Sequence, residues 1–339
     1  MVAALLCGRN STLAVAEWCR DEQPLLEEAF GPRKYSCPDD LLYRKLLPWL
    51  DVCQVEGALA DWIRMTLSAS PDDPIALDGK TVRGAGTDDH EAPHLLSFPT
   101  YHSQETLLQI EVEEKTNEIP MALMFLPALP VAGRVFTADA LHTHVPFFLR
   151  VQHLGGDAVL VVKENQPTIH EHMATYFADP LASFEDAETV DLQRGRREVR
   201  SIKVTSALSD YLQRDWPGVA QVAQLTRTVT TKKTGKTSFE VVSIITTLTR
   251  QQASPERLLE LVRGHWSIEN SSHYVRDVTF LEDRSRLRMG HAPQILATLR
   301  NLVITLIHRH GSSQIVSTRR SLSSHPERAF AWLLVPQAA

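Results

Sequence analysis

The chain has 339 residues, of which 43% are hydrophobic and 22% are charged, so it can bury a substantial core and wholesale disorder is excluded. The formal net charge is −6, yet residues 251–339 hold eleven arginines against seven acidic residues, a local charge of +4. This local positive charge is typical of a region that faces phosphate groups.

Membrane and secretory segments are not expected. The apolar runs are too short to span a bilayer, and the first residues lack the basic start of a secretory signal. The four cysteines form no C-x-x-C pair, so we expect neither a disulfide framework nor a zinc ribbon. A reducing cytoplasm is the expected location.

Helical patterns fill residues 1–70. Ser11 is a suitable N-cap for a first helix reaching about Leu26, and Pro38 with Asp39 opens a second. Residues 57–67 form a third amphipathic stretch. This N-terminal region is interpreted either as a helical cap or as a DNA-binding helix-turn-helix.

The pattern changes at the Pro/Asp/Ser-rich linker 68–74, which we take as a domain boundary. Short apolar runs then alternate with helical patterns, and this order predicts a mixed α/β sheet with flanking helices over residues 71–179. The predicted strands are 75–77, 94–98, 107–112, 134–138 and 158–163, and the predicted helices are 119–129 and 145–154.

A β-rich insertion is predicted over residues 180–250, where charged and β-branched residues alternate and 232–236 read as a hairpin turn. A long helix is then predicted from Pro255 to about Asp277, and a final one over residues 293–308. We assign 251–310 to the end of the core and 311–339 to a C-terminal tail.

Three acidic residues stand out by their positions. Asp78 and Asp139 each follow a short apolar strand, where ligand sites of α/β sheets tend to lie. Glu269 lies beside the apolar stripe of the predicted long helix, where an unpaired charge is costly. Three such carboxylates could hold two Mg²⁺ or Mn²⁺ ions for phosphoryl transfer, although any single strand-end aspartate is more often a turn former.

Four short sequence motifs narrow the set of possible functions. The chain reads DGKTVRG at 78–84, TADALHT at 137–143, HWSIEN at 265–270 and DVTFLED at 277–283. In these motifs and their spacing it resembles the H-repeat-associated group of bacterial insertion-sequence DDE transposases. The resemblance runs in order from about residue 12 to 309.

The resemblance implies a ribonuclease-H-like core with a β-rich insertion before the last catalytic helix. It implies that Asp78, Asp139 and Glu269 are catalytic and bind two Mg²⁺ ions, with Mn²⁺ as a substitute. The implied reaction is DNA strand cleavage at the element's ends, followed by joining of the freed 3′-hydroxyls to target DNA. Double-stranded DNA would be the partner of a homodimer at the bacterial nucleoid.

Ten further residues are candidates for DNA contact, mostly because they are cationic, amide or aromatic residues near the three acids. Arg196 and Arg200 have an equally plausible alternative, cross-strand pairing with Glu198 or Glu240. Trp266 could stack on a base or belong to the core. The candidates are Lys80, Arg83, Lys163, Asn165, Arg196, Arg200, His265, Trp266, Asn270 and Arg276.

Two alternatives to the transposase remain open from the sequence. His265, Glu269 and His273 share one face of the predicted helix and could bind zinc, which would make the chain a hydrolase. The chain could also be a truncated, catalytically silent remnant that only binds DNA. His142 is read as a loop residue within reach of Asp139.

Overall fold

The computed structural model describes residues 1–32, 36–66, 72–88, 90–112, 118–193, 195–268 and 272–334. The chain divides into two compact units. The first unit comprises residues 1–70, 79–117 and 268–339, and the second comprises 71–78 and 118–267. Strand β1 (Ile75–Thr81) contributes residues to both units.

The strands of the described residues form one nine-stranded sheet in the order β3-β2-β1-β4-β5-β9-β8-β7-β6. Strand β1 pairs in parallel with β4 (Val135–Ala138), which pairs in parallel with β5 (Asp157–Val162). Strand β2 (His94–Pro99) pairs antiparallel with β3 (Thr106–Val112). This mixed sheet with flanking helices confirms the predicted ribonuclease-H-like fold class.

The second unit has an apolar center because its short strands are buried on both faces. In β5, residues 158–162 are all buried, and the first three residues of β1 are buried as well. Near-continuous apolar runs of this kind are typical of parallel strands covered on both sides. The helices of this unit are α6 (Glu118–Phe125), α7 (Val145–His153), α8 (Pro167–Ala178), α9 (Ser209–Leu212) and α10 (Pro255–Ile268).

Residues 180–250 hold four long antiparallel strands, and the predicted turn at 232–236 joins the last two. One face carries a ladder of ion pairs. Arg200 contacts Asp191 and Glu198, and Arg227 contacts Glu198 and Glu240. The strands are β6 (Glu185–Gln193), β7 (Arg196–Thr205), β8 (Gln221–Thr231) and β9 (Thr237–Thr246).

Strand β6 ends the order of the sheet and is rich in acidic residues. Its sequence is EDAETVDLQ, and the side chains of Glu185, Asp186 and Glu188 are exposed. An edge strand of this composition presents charge along its free side.

The first unit is mainly helical, and its helix starts follow the capping chemistry of the sequence. Ser11 accepts a hydrogen bond from the Ala14 N–H at 3.1 Å, and Asp39 accepts one from the Leu42 N–H at 2.7 Å. The helices are α1 (Val2–Leu6), α2 (Thr12–Asp21), α3 (Gln23–Phe30), α4 (Asp40–Leu46), α5 (Val52–Thr66), α11 (Ala292–Arg309), α12 (Ile315–Ser324) and α13 (Pro326–Leu334). Helix α11 carries much of the core, where Leu302, Val303 and Leu306 pack among residues of α1.

Several boundaries differ from the predicted ones. The helix predicted from Ser11 to Leu26 is interrupted at Glu22, because Pro24 has no N–H with which to continue the helical ladder. The described part of the helix predicted to reach Asp277 ends at Ile268, and a π-helical turn follows at Val275–Thr279. Helices α1, α8, α9, α12 and α13 were not predicted, and most of the linker 68–74 lies outside the described residues.

Among the helices that the structure describes, none combines the length and apolar character needed to cross a membrane.

Candidate active site

Asp78 and Asp139 lie level with each other in the second unit. In the parallel pairing of β1 with β4, Leu77 is the partner of Ala138, so the next residue on each strand is one of the two aspartates. Adjacent strands are about 4.8 Å apart, which brings the two positions side by side. The strand pairing therefore brings together two aspartate positions that are 61 residues apart in the sequence.

The carboxylate of Asp139 is held by a buried histidine. Asp139 caps the 3₁₀ turn Ala140–His142, and its Oδ1 is 2.8 Å from His142 Nδ1. The other ring nitrogen, Nε2, is 2.6 Å from the Glu118 Oε2. His142 and Glu118 are each 2% exposed, whereas the Asp139 side chain is 53% exposed. The hydrogen bonds from Glu118 through His142 to Asp139, called the relay below, thus connect two buried groups to an accessible carboxylate.

This relay sets the charges of its members. Burial alone would lower the pKa of His142, but hydrogen bonds and charge interactions with Asp139 and Glu118 outweigh it and raise the pKa to about 9. Burial likewise acts to raise the pKa of Asp139, yet the hydrogen bond and charge of His142 lower it overall. At neutral pH the arrangement is therefore a carboxylate, an imidazolium that donates from both nitrogens, and a second carboxylate.

Helix α10 is fixed to β4 next to this site. The ring of His265 is buried, and its Nδ1 lies 3.0 Å from the hydroxyl of Thr137, two residues before Asp139. Burial lowers the pKa of His265 to about 4, so this imidazole is neutral. Trp266 is half-buried. Two further predicted site residues, Glu269 and Asn270, lie outside the described residues.

The loop after β5 adds two of the predicted DNA contacts. Lys163 is exposed directly after the strand, and Asn165 is exposed two residues later. The Asn165 side chain donates to the carbonyl of Ala140, within the turn that Asp139 caps. This amide therefore fastens the loop to the turn, while the ammonium of Lys163 remains at the surface.

The two arginines of β7 have different surroundings. Arg196 is exposed at the start of the strand. Arg200 is buried, and its guanidinium lies 2.7 Å from both Asp191 and Glu198. The ion-pair alternative therefore describes Arg200, with Glu198 on the same strand and with Asp191 of β6, in place of Glu240, as the cross-strand partner.

Three other predicted contacts lie in the first unit. The ammonium of Lys80 lies 2.7 Å from both carboxylate oxygens of Asp277, and the lysine side chain is 8% exposed. Arg276 is 1% exposed and pairs with Glu282 at 2.8 Å. Lys80 and Arg276 thus form internal ion pairs, whereas Arg83 is exposed in a 3₁₀ turn.

A buried charge cluster surrounds those two pairs. Glu282 is shared between Arg276 and Arg300, which lies 3.0 Å from it. The nearby His273 is kept neutral, because burial, Arg276 and Lys80 together lower its pKa to about 3. This cluster was not anticipated from the sequence, where the acidic residues of 277–283 had served only as part of a motif.

Glu118 is the other member of the candidate site that was not predicted from the sequence. It precedes the apolar run 119–129 and reads as an ordinary acidic residue in the first turn of a helix. Its importance arises from the fold, which places it against His142. The available signal was its position directly before an apolar segment, and that signal is weak.

The donor chemistry at the strand ends fits a hard divalent cation. Carboxylate oxygens are the ligands that Mg²⁺ and Mn²⁺ prefer. Within the described ranges, no three His, Cys, Asp or Glu side chains converge as a complete metal site. Glu269, which is both the predicted third ligand and the central residue of the zinc alternative, falls outside those ranges.

The mixed sheet, with Asp78 and Asp139 on neighbouring parallel strands, defines an α/β protein, a class in which ligand sites tend to lie at the carboxyl ends of the strands. A family model described as "Transposase DDE domain" matches residues 69–306, and the chain belongs to this family. The family named by the sequence motifs is thereby confirmed.

Two relatives with similar sequences agree with this assignment. The chain is 28% identical over 319 residues to the H repeat-associated putative transposase YhhI of Escherichia coli K12, covering 90% of this chain and 82% of the relative. It is 25% identical over 315 residues to the putative transposase YncI of Escherichia coli O157:H7, covering 90% and 80%. A solved piggyBac transposase synaptic complex with hairpin DNA has a TM-score of 0.42 at 12% identity, covering 89% of this chain and 63% of that one.

Proposed function

We propose that this chain is the DDE transposase of a bacterial insertion sequence, which cleaves DNA at the element's ends and joins the 3′-hydroxyls to target DNA. The observation that carries the proposal is the level placement of Asp78 and Asp139 on adjacent parallel strands. Membership of the DDE-domain family supports it.

Asp78, Asp139 and Glu269 are the proposed ligands of two Mg²⁺ ions, for which Mn²⁺ would substitute. When bound, the ions would supply activation of a water or 3′-hydroxyl nucleophile and stabilisation of the leaving oxygen. The chain's own contribution is positional. His142 keeps Asp139 ionised and oriented, and Glu118 keeps His142 protonated and in place.

The proposed partner is double-stranded DNA, both the element's ends and the target. Two ends must be brought together for joining, so we infer a homodimer assembled on DNA. An enzyme of this kind works on chromosomal DNA, and the proposal therefore includes a cytoplasmic, nucleoid-associated location.

The test is a nicking and strand-transfer assay on DNA carrying the ends that flank the gene, with Mg²⁺ and separately with Mn²⁺. Asp78→Asn, Asp139→Asn and Glu269→Gln are each expected to abolish cleavage. Asp186→Asn, which removes an exposed carboxylate from β6, is the matched control and should cleave like the unaltered chain.

Two results would contradict the proposal. Full cleavage by one of the three variants would remove that residue from the site. Retention of DNA binding without any cleavage by the unaltered chain, in either metal, would instead identify a silent remnant.

A further inference from the structure

Two neighbouring cavities of the first unit are lined by arginines. One has a volume of about 270 Å³ and the other about 430 Å³, and Asn10 lines both. The remaining described residues of their walls are polar or apolar, and neither wall includes an aspartate or glutamate. The arginines are Arg44, Arg284 and Arg286 in the smaller cavity and Arg9, Arg319 and Arg320 in the larger one.

The wall between the cavities is rigidly built. Arg319 is 5% exposed and donates to the carbonyls of Leu5 at 2.9 Å and Thr279 at 3.1 Å, and to the side-chain oxygen of Asn10. Its guanidinium lies 4.1 Å from the center of the Phe280 ring. Asn10 in turn donates to the Thr279 carbonyl at 3.0 Å. The residue common to both cavities is thus held at both ends of its amide.

The charge of this wall is positive. The hydrogen-bond acceptors of Arg319 are carbonyl and amide oxygens, which satisfy its donors without cancelling its charge. Burial and the neighbouring Arg300 lower the pKa of Arg319 to about 10, so it remains protonated at neutral pH. Behind it, Arg276 and Arg300 share the single carboxylate of Glu282, which leaves a further positive charge in the interior. Concave surfaces lined by one sign of charge concentrate counter-ions.

The accessible arginines are arranged to grip that counter-ion. Arg284 and Arg286 are exposed and flank Ser285, whose backbone is extended, so their side chains project from alternate positions toward one side. Arg9 and Arg320 are exposed at the other cavity. The planar guanidinium binds phosphate oxygens through two parallel hydrogen bonds.

We propose that these two cavities are a DNA-backbone site, at which Arg284, Arg286, Arg9 and Arg320 hold phosphates of double-stranded DNA. This inference rests on the proposed function and adds a binding surface that none of the sequence motifs indicated. Duplex DNA is the favoured occupant because it presents closely spaced phosphates to neighbouring arginine-lined cavities, and because the chain belongs to a transposase family.

The experiment measures binding of the full chain to a fluorescent 30-base-pair duplex by anisotropy, in EDTA so that no cleavage occurs, over a range of salt concentrations. The test variant is Arg284→Gln/Arg286→Gln. The control is Arg20→Gln/Arg328→Gln, which removes the same charge from exposed arginines that line neither cavity. All four positions are exposed, and equal melting temperatures would verify that folding is unaffected.

Each lost phosphate contact reduces the magnitude of the slope of log K against log salt concentration by about 0.9, where K is the association constant. The test variant should therefore lose about 1.8 from that magnitude and up to about 60-fold in affinity at 0.1 M salt. The control should keep the slope of the unaltered chain. Equal slopes for the test variant and the unaltered chain would overturn the inference, as would a failure of the unaltered chain to bind the duplex.

Inorganic phosphate is the second probe. If millimolar phosphate displaced the duplex more than chloride at equal ionic strength, the cavities would be assigned to a free anion and the inference would be overturned. The cleavage assay with Asp139→Asn decides the proposed function separately, because it does not depend on which surface holds the DNA.

Discussion

Removal of the His142 side chain tests the relay most directly. His142 and Glu118 are each 2% exposed and lie 2.6 Å apart, so His142→Ala leaves a carboxylate buried without its partner. Breaking a buried pair in this way costs about 3–5 kcal/mol. The pKa of His142, about 9 against 6.5, leads independently to about 3 kcal/mol at 1.36 kcal/mol per unit.

The direction of the His142 pKa shift determines how the effect of His142→Ala on stability changes with pH. Since the folded state raises the pKa of His142, this contribution is complete below pH 6.5 and is lost as the pH rises through about 9. The stability difference between the unaltered chain and His142→Ala should therefore shrink by about 3 kcal/mol between pH 6 and pH 10. Urea unfolding followed by tryptophan fluorescence and circular dichroism measures it.

Two companion variants make the result specific. His144→Ala, the neighbouring half-buried histidine, should change the free energy of unfolding by no more than about 0.5 kcal/mol. Adding Glu118→Gln to His142→Ala should restore part of the loss, because the buried group is then uncharged. The reasoning is refuted if the two substitutions add, or if the His142→Ala difference is the same at pH 6 and pH 10.

Two further predictions concern the same unit. Glu118→Gln should slow single-turnover cleavage by about 10- to 100-fold, the usual effect of removing a group that orients a metal ligand, while Glu171→Gln, an exposed carboxylate on α8, should not. Its effect should appear in the Mg²⁺ concentration needed for half-maximal rate, and an unchanged requirement and rate would exclude the positioning role. The unaltered chain should lose about 2 kcal/mol of stability between pH 7 and pH 5 through His265, because burial holds its pKa at about 4 and the unfolded chain takes up the proton first. His265→Gln should abolish this part of the loss. Parallel unfolding curves at the two pH values would show this, and an unchanged pH dependence would contradict it.

Much of the sheet was predictable from the sequence because its strands are short apolar runs, two of which are followed directly by an aspartate. Asp139 was found in this way at the end of β4, whereas Asp78 follows the apolar residues 75–77 but lies within β1, which continues to Thr81. Their level placement depends on the pairing of β1 with β4, which periodicity does not encode. The register of parallel strands is a tertiary property.

Cations were harder to interpret than carboxylates. Lys80 was predicted to contact DNA, yet its partner is Asp277, 197 positions away, and Arg200, for which ion pairing with Glu198 was an equal alternative, also pairs with Asp191, nine positions away. A lone basic residue in a sequence carries no sign of the carboxylate that the fold will bring to it. The same limit hid Glu118, whose partner histidine comes 24 positions later.

The acidic edge strand β6 bears on how copies of this chain behave toward each other. A free strand edge can pair with another chain and lead to aggregation. Here an incoming β6 would bring its own row of carboxylates beside Glu185, Asp186 and Glu188, and the mutual repulsion would oppose pairing. The composition of this edge thus opposes the joining of separate copies of the chain through their sheets.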